Sequence, residues 1–196
     1  MRPFLSVSSH AVVIDRSDID TDQIVPKQFL KRIDRTGYGE VLFHDWCQDP
    51  GFELNEPNAA SAKILLTGPN FGCGSSREHA AWALQDFGFE VIIAPSYGDI
   101  FFTNAVQIGL VPISIHTEEV KSLMRAAADG LALTVDLKQQ TIGHSGRTVT
   151  RFEIDPFVQE CLLKGLDPIA ITQEHDTLIS AYENARPSPI STARLA

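Results

Sequence analysis

The sequence has 196 residues, of which 43% are hydrophobic and 21% charged, as in ordinary soluble globular proteins. Its 16 basic and 25 acidic residues give a net charge of -9, which argues against nucleic-acid binding because that role needs a basic face. The three cysteines, Cys47, Cys73 and Cys161, are far apart and form no CxxC pair, so neither a disulfide framework nor an iron–sulfur cluster held by this chain alone is expected.

The N-terminal part of the chain contains a short predicted strand at 11–14 and then an acidic loop at 15–22. Three aspartates alternate in that loop as in a calcium site, but the glycine and the distal glutamate of such a site are missing. For Asp18 and Asp20, a solvated loop that caps the next helix is as good an interpretation as a role at a functional site. The N-terminal residues do not show a basic region followed by an apolar stretch, and no apolar run in the chain reaches about 18 residues, so we expect a cytoplasmic protein without membrane contact.

The next segment combines a possible short helix at 26–33 with two glycines that flank Tyr38. A Gly-x-Gly tip of this kind is mobile and allows the backbone to approach a ligand closely. Tyr38 could alternatively pack on the rim of the fold. A polar loop at 48–62 follows.

The central stretch, 63–88, reads as strand, loop and helix. An apolar run at 64–66 ends in a loop with three glycines, after which Ser75, Ser76 and Arg77 open a pattern with helical spacing. Free backbone N–H groups at a helix start favour an anion. Because a guanidinium offers a planar fork that matches a carboxylate, this loop suits a substrate with carboxylate groups.

Familiar glycine motifs do not fit this loop. A P-loop needs a lysine after its last glycine, whereas Gly74 is followed by Ser75. A nucleophile elbow needs glycines two residues before and after the serine, and here Cys73 and Arg77 occupy those positions. A dinucleotide fingerprint lacks its third glycine and its ribose-binding acid. A glycine turn whose helix is merely capped by Ser75 or Ser76 remains as a structural alternative.

The second half of the chain predicts alternating elements around a parallel sheet. A continuous apolar run at 90–95 indicates a buried strand, and it is followed by a helix at 99–107 and another strand at 110–115. Because ligands in open α/β sheets bind at the carboxyl ends of the strands, the serine loop is expected at that edge.

The C-terminal part completes one predicted domain over residues 1–185. We expect a helix at 117–129 with Thr117 as N-cap, a β-hairpin that turns about 143–146, a helix from Pro156 to Gly165, and a last helix capped by Thr172 with Ile179 and Tyr182 facing inward. The segment 186–196 is expected to be a disordered tail.

The histidines are scattered without metal-ligand spacing, so no metal site is expected on this chain. His79 is the histidine near the serine loop and could act there directly or serve as a structural, hydrogen-bonded side chain. Asn104 could similarly reach the site or cap local backbone.

Three blocks of sequence follow one another along the chain: DTDQIVP at 20–26, NFGCGSSREHA at 70–80, and Ser96 with Ile100-Phe101, Asn104 and GLVP at 109–112. In this order they resemble the swivelling domain of the aconitase superfamily. Through KQFL at 27–30, RTGYG at 35–39 and LFHDW at 42–46, the chain more closely resembles the small subunits of 3-isopropylmalate dehydratases, and the likeness runs from about residue 12 to residue 184.

The resemblance implies an α/β fold, a single swivelling β/β/α domain with a parallel central sheet, helices and a β-hairpin. It implies a hydro-lyase subunit of leucine biosynthesis that is active only with a large subunit carrying a [4Fe-4S] cluster, and a carboxylate substrate. Ser75, Arg77 and Asp22 would be catalytic. Ser76 and Arg77 would bind the substrate, while Leu30, Lys31, Gly37, Tyr38 and Gly39 would select its branched apolar group.

Two alternatives remain open from the sequence. The chain could serve a related 2-hydroxy acid, as in enzymes of the homoaconitase or citraconate hydratase type. It could also be a non-catalytic regulatory module that senses anions at the helix start.

Overall fold

A computed structural model describes residues 1–31 and 35–185. The position Ile33 at the end of the predicted first helix, and the predicted tail at 186–196, lie outside these residues. The strands are β1 Ser6–Ser9, β2 Ala11–Ile14, β3 Ile64–Thr67, β4 Val91–Ala94, β5 Val111–Ser114, β6 Leu133–Asp136, β7 Thr141–His144 and β8 Arg147–Arg151. The α-helices are α1 Thr21–Ile24, α2 Glu78–Phe87, α3 Asp99–Ile108, α4 Thr117–Ala128, α5 Pro156–Lys164, α6 Pro168–Gln173 and α7 Asp176–Ala185.

The strands form two four-stranded sheets. One is parallel in the order β2-β3-β4-β5, and the other is antiparallel in the order β1-β6-β7-β8. Every residue of β3 and β4 is buried, which explains why both read as continuous apolar runs. The parallel central sheet predicted from the sequence is therefore confirmed.

Two apolar clusters cover the two faces of the parallel sheet. On one face, Leu65 and Ile92 pack with the buried alanines and leucine of α2 and with Phe101 of α3. On the other face, Ile64 and Ile93 belong to a cluster that includes α4 and the antiparallel sheet. This produces a layered β/β/α arrangement, and because one cluster joins both sheets we propose that residues 1–185 form a single domain.

A proline in β5 is accommodated by a buried tyrosine. Pro112 cannot donate to the ladder, and β5 lies at the edge of the parallel sheet, where proline is tolerated. The Tyr97 hydroxyl donates to the carbonyl oxygens of Ile92 (2.7 Å) and Ile113 (3.0 Å) and accepts from the Ile113 N–H (3.2 Å). Tyr97 thus ties the loop after β4 to the inner residues of β4 and β5, and burial raises the pKa of its hydroxyl well above the usual range.

The antiparallel sheet differs from the single hairpin expected at its position. The alternating segment forms three strands, β6, β7 and β8, and β1 pairs with β6 as the fourth. Gly143 and His144 lie within β7, and the turn about 143–146 is restricted to Ser145 and Gly146. The alternation was correct, but it could not reveal the additional turn between Asp136 and Thr141.

Other boundaries also required correction. The predicted strand at 11–14 is confirmed as β2, but β1 and the helix α1 were not predicted. The helix expected from residue 26 is a single 3-10 turn at Lys27–Phe29. Thr117 is the first residue of α4, whose N-cap is His116. The helix from Pro156, with Gly165 as its C-cap, is confirmed.

The last helix differs most from its prediction. Thr172 lies inside α6 instead of capping α7, which begins at Asp176. Helix α7 contains no buried residue, and the Tyr182 side chain, expected to face inward, is 64% exposed. Among residues 1–31 and 35–185, no helix is both long enough and apolar enough to cross a bilayer.

Candidate active site

Three loops meet at the carboxyl edge of the parallel sheet. The loop after β2 joins the loop after β3 through a bridge between Asp20 and Cys73 and a hydrogen bond from the Gly72 N–H to the Ile19 carbonyl (2.7 Å). The loop after β4 joins them through a bridge between Phe71 and Tyr97. The serine loop is thereby held from both sides at the edge where α/β proteins bind ligands.

Two glycines of the serine loop are required for different reasons. Gly72 has φ of +71°, and a Cβ there would lie 2.2 Å from Cγ of the buried Phe101 ring. Gly74 has φ of +86°, but its Cβ would meet Asp20 at an ordinary 3.4 Å. Glycine is therefore required at position 72 by both packing and the positive φ, and favoured at position 74 by the positive φ alone.

The serines lie just before α2 and are exposed. The N-cap of α2 is Arg77, whose side chain makes no capping hydrogen bond, so the structural alternative in which Ser75 or Ser76 caps this helix does not hold. Neither serine hydroxyl bonds to any residue within 1–31 or 35–185, and neither do the N–H groups of Gly74, Ser75 and Ser76. These donors are free to meet an anion or a substrate.

The Arg77 guanidinium is held by Asp22 through two hydrogen bonds. Nη1 donates to Oδ1, and Nη2 donates to Oδ2 at 3.0 Å. The Arg77 side chain is 17% exposed, whereas that of Asp22 is 48% exposed. Since a guanidinium carries five N–H groups and Asp22 uses two, the remaining donors can hold a second carboxylate.

The position of Asp22 is set by the short helix α1. Asp20 is its N-cap and accepts a hydrogen bond from the Gln23 N–H (2.8 Å), while the Gln23 side chain accepts one from the Asp20 N–H (2.8 Å). This reciprocal capping box fixes the turn from which Asp22 projects toward Arg77. Asp20 thus caps a helix, which was one of its two expected roles, and Asp18 accepts a hydrogen bond from the Asn70 side chain (2.7 Å).

A cavity of about 180 Å³ opens beside these groups. Its walls include Ser75, Arg77, Thr21, Asp99 and Ile100. Three of these residues had no role predicted from the sequence. Thr21 follows the end of β2, and Asp99 and Ile100 follow the end of β4. Ile100 is an apolar side chain that remains 51% exposed at this cavity.

The predicted selectivity segment is arranged differently from the expected mobile tip. Tyr38 is buried, with its ring 5.2 Å from the ring of His79. The N–H groups of Gly37 and Gly39 donate to Oδ2 of Asp86 at 2.7 and 3.1 Å, near the far end of α2. The Tyr38 ring therefore neither lines the candidate cavity nor lies on the rim of the fold, because it packs on residues of α2 that are distant in sequence.

Leu30 and Lys31 differ in their exposure. Leu30 is partly buried against the apolar cluster beneath α2, and Lys31 is exposed. Among the predicted substrate residues, the structure brings Ser75, Ser76 and Arg77 together, with Asp22 paired to Arg77. Of the predicted site residues, Ser75 and Arg77 line the cavity, whereas Asp22, Ser76, Leu30, Lys31 and the residues at 37–39 do not.

His79 is enclosed by aromatic rings. It lies between Tyr38 and Trp82, with a centroid distance of 4.7 Å to the latter, and burial lowers its pKa. Its Nδ1 is buried and bonds to none of the residues that the structure describes. This environment favours a neutral, packed imidazole over a proton carrier at the serines.

No cluster ligand set is found in the described ranges of this chain. Within them, no group of three or more His, Cys, Asp or Glu side chains is placed to hold a metal ion. Burial raises the pKa of Cys47, Cys73 and Cys161, which disfavours the thiolates that iron–sulfur clusters need. These residues do not fit a cluster by themselves.

A larger cavity of about 810 Å³ lies away from the serines, beside the C-terminal half of α2 and the N-terminal residues. Its walls include Arg2, Arg35, Trp82 and Gln85. None of the residues predicted to bind substrate or to act in catalysis lines it. The smaller cavity at the sheet edge is therefore the candidate active site.

Comparison with known proteins identifies the family. The model of the aconitase C-terminal domain matches residues 1–118. The 3-isopropylmalate dehydratase small subunit of Oceanobacillus iheyensis is 51% identical over 94% of this chain and 100% of its own length, and that of Acidobacterium capsulatum is 49% identical over 93% and 90%.

A solved structure agrees with these relatives. The 3-isopropylmalate dehydratase (LeuD) of Methanocaldococcus jannaschii superposes with a TM-score of 0.69 at 26% identity, covering 91% of this chain and 99% of the other. The predicted swivelling-domain fold is thereby confirmed. The chain belongs to the family of 3-isopropylmalate dehydratase small subunits, which are built on an aconitase C-terminal domain.

Proposed function

We propose that this chain supplies the proton-transferring part of the active site of a 3-isopropylmalate dehydratase, a hydro-lyase of leucine biosynthesis. The enzyme interconverts 2-isopropylmalate and 3-isopropylmalate by removing and re-adding water in the cytoplasm. The observation that carries the proposal is the exposed, unpaired Ser75 hydroxyl in the same cavity as the Arg77 guanidinium. A second, large subunit completes the site.

Ser75 is the base that takes the carbon-bound proton of the substrate. A serine hydroxyl does this only where its alkoxide is stabilised, because its ordinary basicity in water is low. The Arg77 charge, the free N–H groups of Gly74, Ser75 and Ser76, and the positive end of α2 provide that stabilisation. Proton transfer by a positioned group contributes about 10²- to 10⁴-fold to rate.

Arg77 and Ser76 hold the substrate in this mechanism. Asp22 keeps the guanidinium in one orientation, and the uncommitted N–H groups of Arg77 bind a substrate carboxylate. Ser76 donates a further hydrogen bond. The [4Fe-4S] cluster, held by cysteines of the large subunit, supplies a Lewis acid for the departing hydroxyl.

Reconstitution tests the proposed function. The purified chain alone should show no dehydratase activity, because it lacks the Lewis acid, and activity should appear on adding the large iron–sulfur subunit from a relative such as that of Oceanobacillus iheyensis. A panel of 3-isopropylmalate, homocitrate and citramalate distinguishes the preferred 2-hydroxy acid. Activity of the isolated, metal-free chain would contradict the proposal. Carboxylate binding without activity in the assembled pair would favour the regulatory alternative.

The segment that contains Leu30, Lys31 and Gly37 to Gly39 selects the branched apolar group of the substrate. Its part at 37–39 is anchored to α2 by Asp86 and packs on His79 through Tyr38, so these three residues have a defined position relative to the helix that begins after Arg77. The buried Tyr38 ring acts in this proposal by fixing the segment, since it is too enclosed to contact a ligand directly.

Exchange of residues 27–39 for the same segment of a homoaconitase small subunit tests this role. We expect the ratio of kcat/KM for 3-isopropylmalate and homocitrate to shift toward homocitrate by at least about tenfold, since one or two methylene contacts are worth 10- to 200-fold. Exchange of the loop at 49–61 is the control and should leave the ratio unchanged. An unchanged ratio in the 27–39 exchange would remove the segment from substrate selection.

A further inference from the structure

We propose that Thr21 is a positioning residue for Ser75, an inference that rests on the function proposed above. Thr21 is the first residue of α1 and is only 2% exposed. Its hydroxyl donates to the Ser75 carbonyl at 2.9 Å, and its N–H donates to the Cys73 carbonyl at 3.0 Å. One buried residue thus clamps the serine loop at two points.

The clamp matters because the loop has few other restraints near the serine. Within the described residues, no other group donates to the Ser75 carbonyl, and the N–H groups from Gly74 to Ser76 have no acceptor. The intervening Gly74 has the conformational freedom of glycine. Without the Thr21 hydroxyl, the peptide that carries Ser75 could rotate about Gly74 and redirect the serine side chain.

The same helix turn also places the partner of Arg77. Asp22 follows Thr21 directly and holds the guanidinium through two hydrogen bonds. The spacing between the base and the carboxylate-binding group is therefore set by two neighbouring residues of α1. Thr21 fixes the position of Ser75, and Asp22 fixes the position of the Arg77 guanidinium.

Thr21→Val, which keeps the volume of the side chain and removes its hydroxyl, tests the inference in the reconstituted two-subunit enzyme. We expect kcat to fall by about 10- to 100-fold, because small misplacements of a reacting group cost up to about 10² in rate. KM should stay within about threefold, since Arg77 and Asp22 are retained. Thr21→Ser restores the hydroxyl and should recover most of the lost kcat.

A double-mutant cycle with Ser75→Ala separates positioning from general damage. If Thr21 acts through Ser75, Thr21→Val should change the residual rate of the Ser75→Ala enzyme by less than about twofold, because residues that act as a unit are not additive. Thr67→Val is the matched control. Thr67 is another buried threonine, its hydroxyl bonds to no described residue, and this variant should keep full activity.

Folding and assembly are measured in parallel by the melting temperature and by co-purification with the large subunit. We expect Thr21→Val to lower the melting temperature by about 2–4 °C, the effect of one lost hydrogen bond, without loss of assembly. A wild-type kcat in Thr21→Val, no recovery in Thr21→Ser, or the same fold loss in the Ser75→Ala background would each overturn the inference. Wild-type turnover of Ser75→Ala itself would instead remove the base on which the inference depends.

Discussion

Replacement of Ser75 by alanine is expected to lower kcat of the reconstituted enzyme by about 10² to 10⁴, the range for loss of a positioned base. The side chain is exposed and its hydroxyl bonds to no residue in the described ranges, so its removal should not affect folding. Steady-state dehydration of 3-isopropylmalate gives kcat and KM, and thermal melting and co-purification with the large subunit report on the fold and on assembly.

A matched serine substitution shows whether this loss is specific. Ser122 lies on α4, on the other side of the parallel sheet, and its hydroxyl makes no hydrogen bond to the described residues. Ser122→Ala should have wild-type kinetics. If Ser75→Ala retained kcat within about threefold of wild type, the proton would have to be taken by another group.

Replacement of Arg77 by lysine should lower kcat/KM by roughly 10- to 150-fold. Hydrogen bonds to charged groups are worth about 1.5–3 kcal/mol, and each 1.4 kcal/mol is a factor of ten. A lysine keeps the charge, but its ammonium is a point donor that cannot hold Asp22 through two parallel bonds while presenting further N–H groups to a substrate. KM should rise because Arg77 binds a substrate carboxylate, and kcat should fall because Arg77 stabilises the Ser75 alkoxide.

The control for this change is Arg125→Lys. Arg125 is an exposed residue near the end of α4, and none of its contacts involves the candidate site. It should retain wild-type kinetic constants. An Arg77→Lys enzyme with an unchanged KM would show that the substrate carboxylate is bound elsewhere, and Asp22 would then have only a structural role.

The sequence predicts those parts of the fold that are determined locally. Strands β3 and β4 are buried on both faces and appear as apolar runs, and α5 carries a proline in its first turn and Gly165 at its end. By contrast, α7 has a helical pattern of apolar residues whose expected burial does not occur in the described chain. Periodicity reports which residues share a face, but not whether another element covers that face.

The candidate site shows the same contrast between features that the local sequence determines and features that depend on distant residues. Ser75, Ser76 and Arg77 are adjacent in the sequence, so their common placement at a helix start was predictable. The pairing of Arg77 with Asp22 and that of Thr21 with Ser75 join residues 55 and 54 positions apart, and no local pattern encodes them. The full burial of Tyr38 was not predictable for the same reason, since it depends on His79 and Trp82 of a later helix.

The unequal constraints on Gly72 and Gly74 affect how the glycine motif should be read in distant homologues. Asparagine is the side chain best suited to position 74, because this residue enters left-handed torsions and a Cβ there would make only ordinary contact with Asp20. Any side chain at position 72 would have to be matched by a smaller residue than phenylalanine at position 101. Evolutionary drift at the first glycine should therefore be coupled to α3, whereas drift at the second should be independent of it.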